Sequence, residues 1–245
     1  MNKANRFSLS LYVILIAIFA IVFFRPELYS GEGGDITLFS YADMKKGDLE
    51  VKGPARAAKR HPTGRTEQWV EIAVELGKKE ELYILRDTDI DARGRAVHFS
   101  VKVRGINKEG RDYDLGEAKY PFFLQMIFDT APEGLSLKKK LSLWYKSVKS
   151  EKIRNRQNII YAFGNRLPKE SIVNPYPGSA IISIGDDRDV DRVIHVTRSL
   201  DYDYKLAFGE EMEGKLKRVV VGFEGYGDGG ESLPVLVSQI LLKRN

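Results

Sequence analysis

Apolar side chains recur at every second position along much of this 245-residue chain. Val70, Ile72, Val74 and Leu76 alternate with polar or small residues, and so do Val97, Phe99, Val101 and Val103. A period of two sets one face of a strand on a core and the other toward solvent. Leu82–Leu85 and Phe122–Phe128 are unbroken apolar runs, suited to central strands. Further strands are predicted over 36–41, 158–163, 180–184, 192–197, 218–223 and 235–242, separated by clusters of Gly, Asp, Asn and Pro. About ten strands with neither βαβ alternation nor a repeat period fold most economically as two packed sheets. The pattern therefore predicts a mostly β chain: an antiparallel two-sheet sandwich, jelly-roll-like, with one or two short helices.

Two stretches carry a helical period instead. Leu137, Leu141, Trp144 and Val148 fall on one helical face, with Ser136 placed to cap the start. Residues 199–208 form a shorter helix, ended by Gly209 as a C′ glycine.

Residues 7–24 fit neither pattern, because they hold no charged side chain. Eighteen helical residues rise about 27 Å, close to the thickness of a hydrocarbon core. Lys3 and Arg6 precede the run and keep the N-terminus on the cytoplasmic side. The exit, Phe23 to Ser30, offers no pair of small residues for signal peptidase. This favours an uncleaved signal anchor over a cleaved signal peptide. Residues 1–30 are thus predicted to hold the chain in an inner membrane by a single pass. Residues 31–245 form the exported domain, on the periplasmic or extracellular side.

Composition narrows the function. With 43% hydrophobic and 30% charged residues the chain is not a disordered one. The absence of cysteine excludes disulfides, thiolate metal sites, cysteine nucleophiles and a lipoprotein anchor. Of 39 basic residues, Lys3, Arg6 and Arg25 fall in residues 1–25, which hold no acid, leaving 36 against 34 acidic residues. That balance gives no reason to expect nucleic acid as a partner.

Candidate chemistry is sparse. Asp87, Asp89 and Asp91 resemble the opening of a calcium loop. Ala92 and His98 stand where an EF-hand needs its Gly and bidentate acid, so 87–94 reads as a turn. Asp186, Asp187 and Asp189, with Asp228 further on, are the carboxylates best placed for a metal, and calcium is the ion they would take. Arg188 and Arg192 could equally neutralise the first three, in a hairpin turn. Otherwise no cofactor is expected. The Gly-rich stretch 225–232 lacks the lysine of a phosphate loop. The histidines, His61, His98 and His195, form no zinc-protease motif, and no Gly-x-Ser-x-Gly elbow occurs. The densest basic run includes Lys138, Lys139, Lys140, Lys146, Arg154 and Arg156, which would give the first helix a face for anionic lipid or for solvent.

Near the C-terminus, Arg198, Asp203, Tyr204, Ala207, Phe208 and Gly209 form a recognisable set. The segment resembles a bacterial family catalogued as domain of unknown function 3047. That family has an Arg, then Asp-Tyr, two spacers and Ala-Phe-Gly. Ile160–Phe163, Ile127-Phe128-Asp129 and Val221-Gly222 resemble its flanking strands, with Phe163 in place of a tryptophan. The family's paired aspartates are not evident near Tyr120, and its aspartate-rich late loop is reduced to Asp228. The resemblance implies an exported, sandwich-like bacterial domain and brings no activity with it. Within the motif, Tyr204 and Phe208 are spaced to pack on one another.

The function these observations predict is a non-catalytic envelope domain that binds glycan through exposed aromatics, Tyr113, Tyr161, Tyr176 and Tyr226. The alternatives are a polysaccharide hydrolase or lyase using carboxylates such as Asp187 or Asp228, and a structural or docking domain using the basic helix over 137–156.

Overall fold

Among the described residues fourteen strands are found, where alternation or apolar runs, and in some cases neither, mark the chain. The computed structural model describes residues 34–60, 72–76, 80–106, 112, 120–130, 156–225 and 234–244. The apolar run 7–24, the predicted helix over 137–148 and most of the glycine-rich stretch lie outside these residues. Among the described residues no helix is long and apolar enough to cross a membrane.

In chain order the strands are β1 (Ile36–Phe39), β2 (Glu50–Lys52), β3 (Ala58–Arg60), β4 (Ile72–Val74), β5 (Glu81–Ile90), β6 (Arg95–Val103) and β7 (Phe123–Phe128). They continue as β8 (Asn158–Phe163), β9 (Ile172–Tyr176), β10 (Ser179–Gly185), β11 (Val193–Ser199), β12 (Leu216–Glu224), β13 (Val235–Val237) and β14 (Ile240–Arg244). Among the described residues two α-helices accompany them, α1 (Tyr41–Lys46) and α2 (Leu200–Phe208). The sequence pattern does not announce α1. Its signals are local: Ser40 Oγ accepts from the Asp43 N–H at 3.1 Å, and Gly47 closes the helix at φ 81°.

The strands form two seven-stranded sheets, so the fold is a mostly antiparallel sandwich. In the first sheet β6 lies between β11 and a line made by β13 and β14. Beyond that line, β1 pairs with β14, β4 with β13, and β3 with β4. The predicted strand over 235–242 is thus two strands, broken at Ser238–Gln239. The second sheet runs β2-β5-β12-β7-β8-β10-β9.

One pair departs from the antiparallel rule. β8 and β10 run parallel. The chain leaves β8, passes outward to form β9 at the sheet edge, and turns at Pro177-Gly178 (Gly178 φ 81°) to insert β10 between them.

Between the sheets, Val97, Phe99, Val101 and Val103 of β6 meet Leu82, Ile84, Phe122, Leu124, Phe128 and Phe223 from the second sheet. Phe122 stands 5.6 Å from Phe99 and 5.7 Å, edge-on, from Phe223. The second sheet is apolar on its outer face as well, where Leu85, Phe123, Ile127, Ile160, Ile181 and Val220 are buried. This is why β7, β8 and β10 read as unbroken apolar runs rather than alternations.

The 87–94 segment corrects the turn reading. β5 continues to Ile90, and Asp87 and Asp89 project from it toward basic residues on β12 and just before it. Asp87 takes Arg218 at 2.5 Å, and Asp89 takes Lys215 and Lys217. Only Asp91–Gly94 turns, with Arg93 holding the Asp91 carboxyl down at about 2.

Candidate functional site

The outer face of the second sheet carries one row that is aromatic at its centre and charged at its margin. On β5, Leu82 and Ile84 point into the sandwich, so Glu81, Tyr83, Leu85 and Asp87 point out. Register then decides the neighbours. Lys52 of β2 pairs with Tyr83, Tyr83 with Gly222 of β12, and Gly222 with Phe123 of β7. One step along, Glu81 pairs with Glu224.

Gly222 is what lets the row close. A Cβ there would come within 2.1 Å of the Phe123 ring. Without one, Phe123 lies across the glycine and its centroid stands 6.1 Å from that of Tyr83, tilted by 52°. The result is a half-buried phenol ring beside a buried phenyl ring, bordered by Lys52 and two glutamates.

The Tyr83 hydroxyl donates to Glu81 Oε2 at 2.7 Å and lies 3.1 Å from Glu224 Oε1. Burial, then the charge of Glu224 and the bond to Glu81, push its pKa far above the ordinary phenol value. The hydroxyl therefore stays a neutral donor. The other Glu224 oxygen accepts from the Tyr120 N–H at 2.7 Å.

Tyr120 is itself anchored. Its hydroxyl donates to the Asp112 carbonyl. The Asp112 carboxylate accepts from the N–H groups of Asn165, Arg166 and Leu167 at 2.9, 2.6 and 2.6 Å, and from Asn165 Nδ2 at 2.9 Å. Three successive amides make a concave anion nest, here filled by the chain's own carboxylate. A continuous hydrogen-bonded path thus runs from the nest to the aromatic row and fixes Glu224.

The residues singled out in the sequence are distributed differently. Tyr161 is corrected: it is fully buried in the sandwich core, where its hydroxyl donates to Asp203 Oδ2 at 2.8 Å. It cannot present a ring to a ligand in solvent. Tyr176 lies half-buried on β9, paired with Ser179 and away from the Tyr83 row. Tyr113, Tyr226, Asp228, Lys138, Lys139, Lys140, Lys146 and Arg154 lie outside the described residues, and Arg156 is exposed just before β8.

The acidic loop does come together, in another role. Asp186 and Asp189 form a reciprocal capping box around the 3₁₀ turn Asp187–Asp189. Asp186 also takes Arg188 at 2.6 Å and the Lys169 N–H at 3.0 Å. Its acceptors are thus committed to protein donors, while Asp187 is exposed. Among the described residues no group of three or more His, Asp and Glu side chains is arranged to hold a metal. His195 is satisfied on its strand: Nδ1 and Ser100 Oγ share a hydrogen bond of 2.8 Å.

No protein-family model and no curated protein is a match for this sequence. Solved structures give weak likenesses. The carbohydrate-binding module TmCBM61, solved with β-1,4-galactotriose, is 10% identical with a TM-score of 0.36, over 86% of this chain and 99% of its own. A cellulase derived from Cel12A of Rhodothermus marinus is 13% identical at 0.38, over 87% and 97%. The mannan-recognising module TmCBM27 is 8% identical at 0.33, over 87% and 97%. Likenesses at this level decide nothing about the ligand.

The sequence reading missed Tyr83, Glu81 and Glu224. Tyr83 sits inside the run Leu82–Leu85, where apolar neighbours on both faces hide the alternation. The available signal was parity: Glu81 and Asp87 share the register of Tyr83 and mark that side as outward.

Proposed function

We propose that this chain is a non-catalytic, glycan-binding β-sandwich, held on the outer side of a bacterial inner membrane by its apolar segment 7–24. The row Lys52–Tyr83–Gly222–Phe123, with Glu81 alongside, carries the reading. The apolar face of a sugar ring packs on an aromatic ring, while a carboxylate and an ammonium beside it bond its hydroxyls. The resemblance of Arg198–Gly209 to domain of unknown function 3047 belongs to the same proposal and adds no activity to it.

Hydrolysis is the second reading, because Glu81 and Glu224 stand directly opposite one another. A glycosidase needs two carboxyl groups that reach the substrate. Glu224 is 3% exposed, and its oxygens face the Tyr83 hydroxyl and the Tyr120 amide. That supports binding over cleavage.

The test is a glycan array with the purified chain, followed by titration of whatever binds. Tyr83→Ala is expected to weaken binding by about tenfold or more, equivalent to ~1.4 kcal/mol. Tyr83→Phe, which keeps the ring, should lose less, and Tyr176→Ala should change nothing. Glycan binding that ignores Tyr83→Ala would remove the site from the reading, and no binding to any glycan would remove the reading itself.

A further inference from the structure

An edge strand presents a row of unpaired N–H and C=O groups, which proteins blunt with short strands, prolines, bulges or charges. Most edges of this sandwich are blunted. β2 and β3 are three residues long. β9 contains Pro175, and its ladder to β10 shifts register. β1 has four residues and shifts register against β14.

β11 is neither short, proline-bearing nor bulged, and its one charge, Arg198, is drawn back onto Asp203 of α2. Its seven residues pair with β6 without interruption, from Val193 opposite Lys102 to Ser199 opposite Ala96. It contains neither proline nor glycine, and its outward side chains, Val193, His195 and Thr197, include no carboxylate and no lysine. Among the described residues no strand pairs with its second edge.

Apolar exposure is a second, independent observation. The exposed large hydrophobic side chains among the described residues are Val193 at 36%, Tyr202 at 64% and Leu206 at 53%. All three belong to β11 or to α2, the helix that follows it directly. Tyr202 and Leu206, four residues apart, share one face of that helix.

We infer that β11 is the edge through which two copies of this chain pair, antiparallel and about a two-fold axis. An antiparallel edge is complementary to itself, so the contact is isologous and closes at two copies. It runs the start of one β11 beside the end of the other. Val193 of each copy is thereby carried toward the other's α2, where Tyr202 and Leu206 stand exposed. Ile194 and Val196 point into the sandwich, so pairing also continues the core from one copy to the next. A foreign extended peptide would satisfy the backbone row, but it gives no reason for apolar surface at both ends of that row.

The chain has no cysteine, so any introduced one is unique. In the full chain in detergent, Val193→Cys, His195→Cys and Thr197→Cys are oxidised mildly, with Lys102→Cys on β6 as control. Disulfides need Cα atoms within about 7 Å, so the best β11 position is expected to give at least about tenfold more covalent dimer than the control. Light scattering should give a dimer mass for the unmodified chain. Val193→Lys combined with Thr197→Lys should reduce it to a monomer with unchanged circular dichroism. A monomeric unmodified chain overturns the inference. So does a dimer that survives both lysines or crosslinks equally well from Lys102→Cys.

Discussion

Asp186 shows how a residue that looks like a cation ligand becomes a structural acceptor. The Arg188 guanidinium, and then the amides of Lys169 and Arg188, hold its carboxyl well below the usual carboxylate range, against the opposing effect of burial. A folded-state pKa below the unfolded value of about 3.9 adds stability that is complete above that value. The contribution is lost as pH falls through the folded value. Asp186→Ala leaves two amides without their acceptor and is expected to cost about 1–3 kcal/mol at neutral pH in urea unfolding. The gap between the two proteins should begin to narrow below about pH 4, where the unfolded chain's carboxyl takes up a proton, and close only as pH falls through the lower native value. An equal gap at neutral and strongly acidic pH would show that the charge is not what Asp186 contributes. Acid-rich spacing in a sequence reports how much charge a loop has. It does not report where the lone pairs point, and that direction separates a metal site from a cap.

At the scale of elements, the junction of β11 and α2 rests on one buried carboxylate. Asp203 is fully buried, takes Arg198 through both oxygens at 3.0 and 2.5 Å, and accepts the Tyr161 hydroxyl of β8. Burial and the adjacent Asp203 charge push the Tyr161 pKa well up, so it serves as a donor at all ordinary pH. Tyr204 packs edge-on against Phe128 at 5.3 Å and against Phe208 at 4.9 Å. The residues of the family resemblance therefore assemble into a joint between strand, helix and second sheet. Asp203→Ala strands a guanidinium and a buried hydroxyl, and should cost about 3–5 kcal/mol. Thermal unfolding of Asp203→Ala beside Arg198→Met would check this, because the cost lies in breaking the pair. Equal, small losses in both would mean the joint is peripheral. This helix was legible from its spacing and its C′ glycine. The short strands β2, β3 and β9 were not, since three residues show no period and Pro175 argues against a strand.

At the scale of the whole molecule, sheet order was the least legible property. Alternation tells which residues face the core, but it does not tell which strands are neighbours. The parallel placement of β10 beside β8, and the meeting of Lys52, Tyr83, Gly222 and Phe123 in one row, follow from pairings between segments far apart in the chain. The last strand is the plainest case. β14 pairs with β1 on one side and lies against β6 on the other, so it joins the start of the described domain to its central strand. Ile240 and Leu242 are fully buried. Burial of two such side chains contributes about 3–6 kcal/mol, against a whole-domain stability of about 5–15 kcal/mol. A chain ended after Val237 also leaves β1 without the strand it pairs with. Such a chain is expected to lose its near-ultraviolet circular dichroism and its cooperative urea transition, whereas a chain ended after Leu242 keeps both. If the shorter chain unfolded at the same urea concentration as the full one, β14 would be an appendage and the first sheet would be closed by β13 alone.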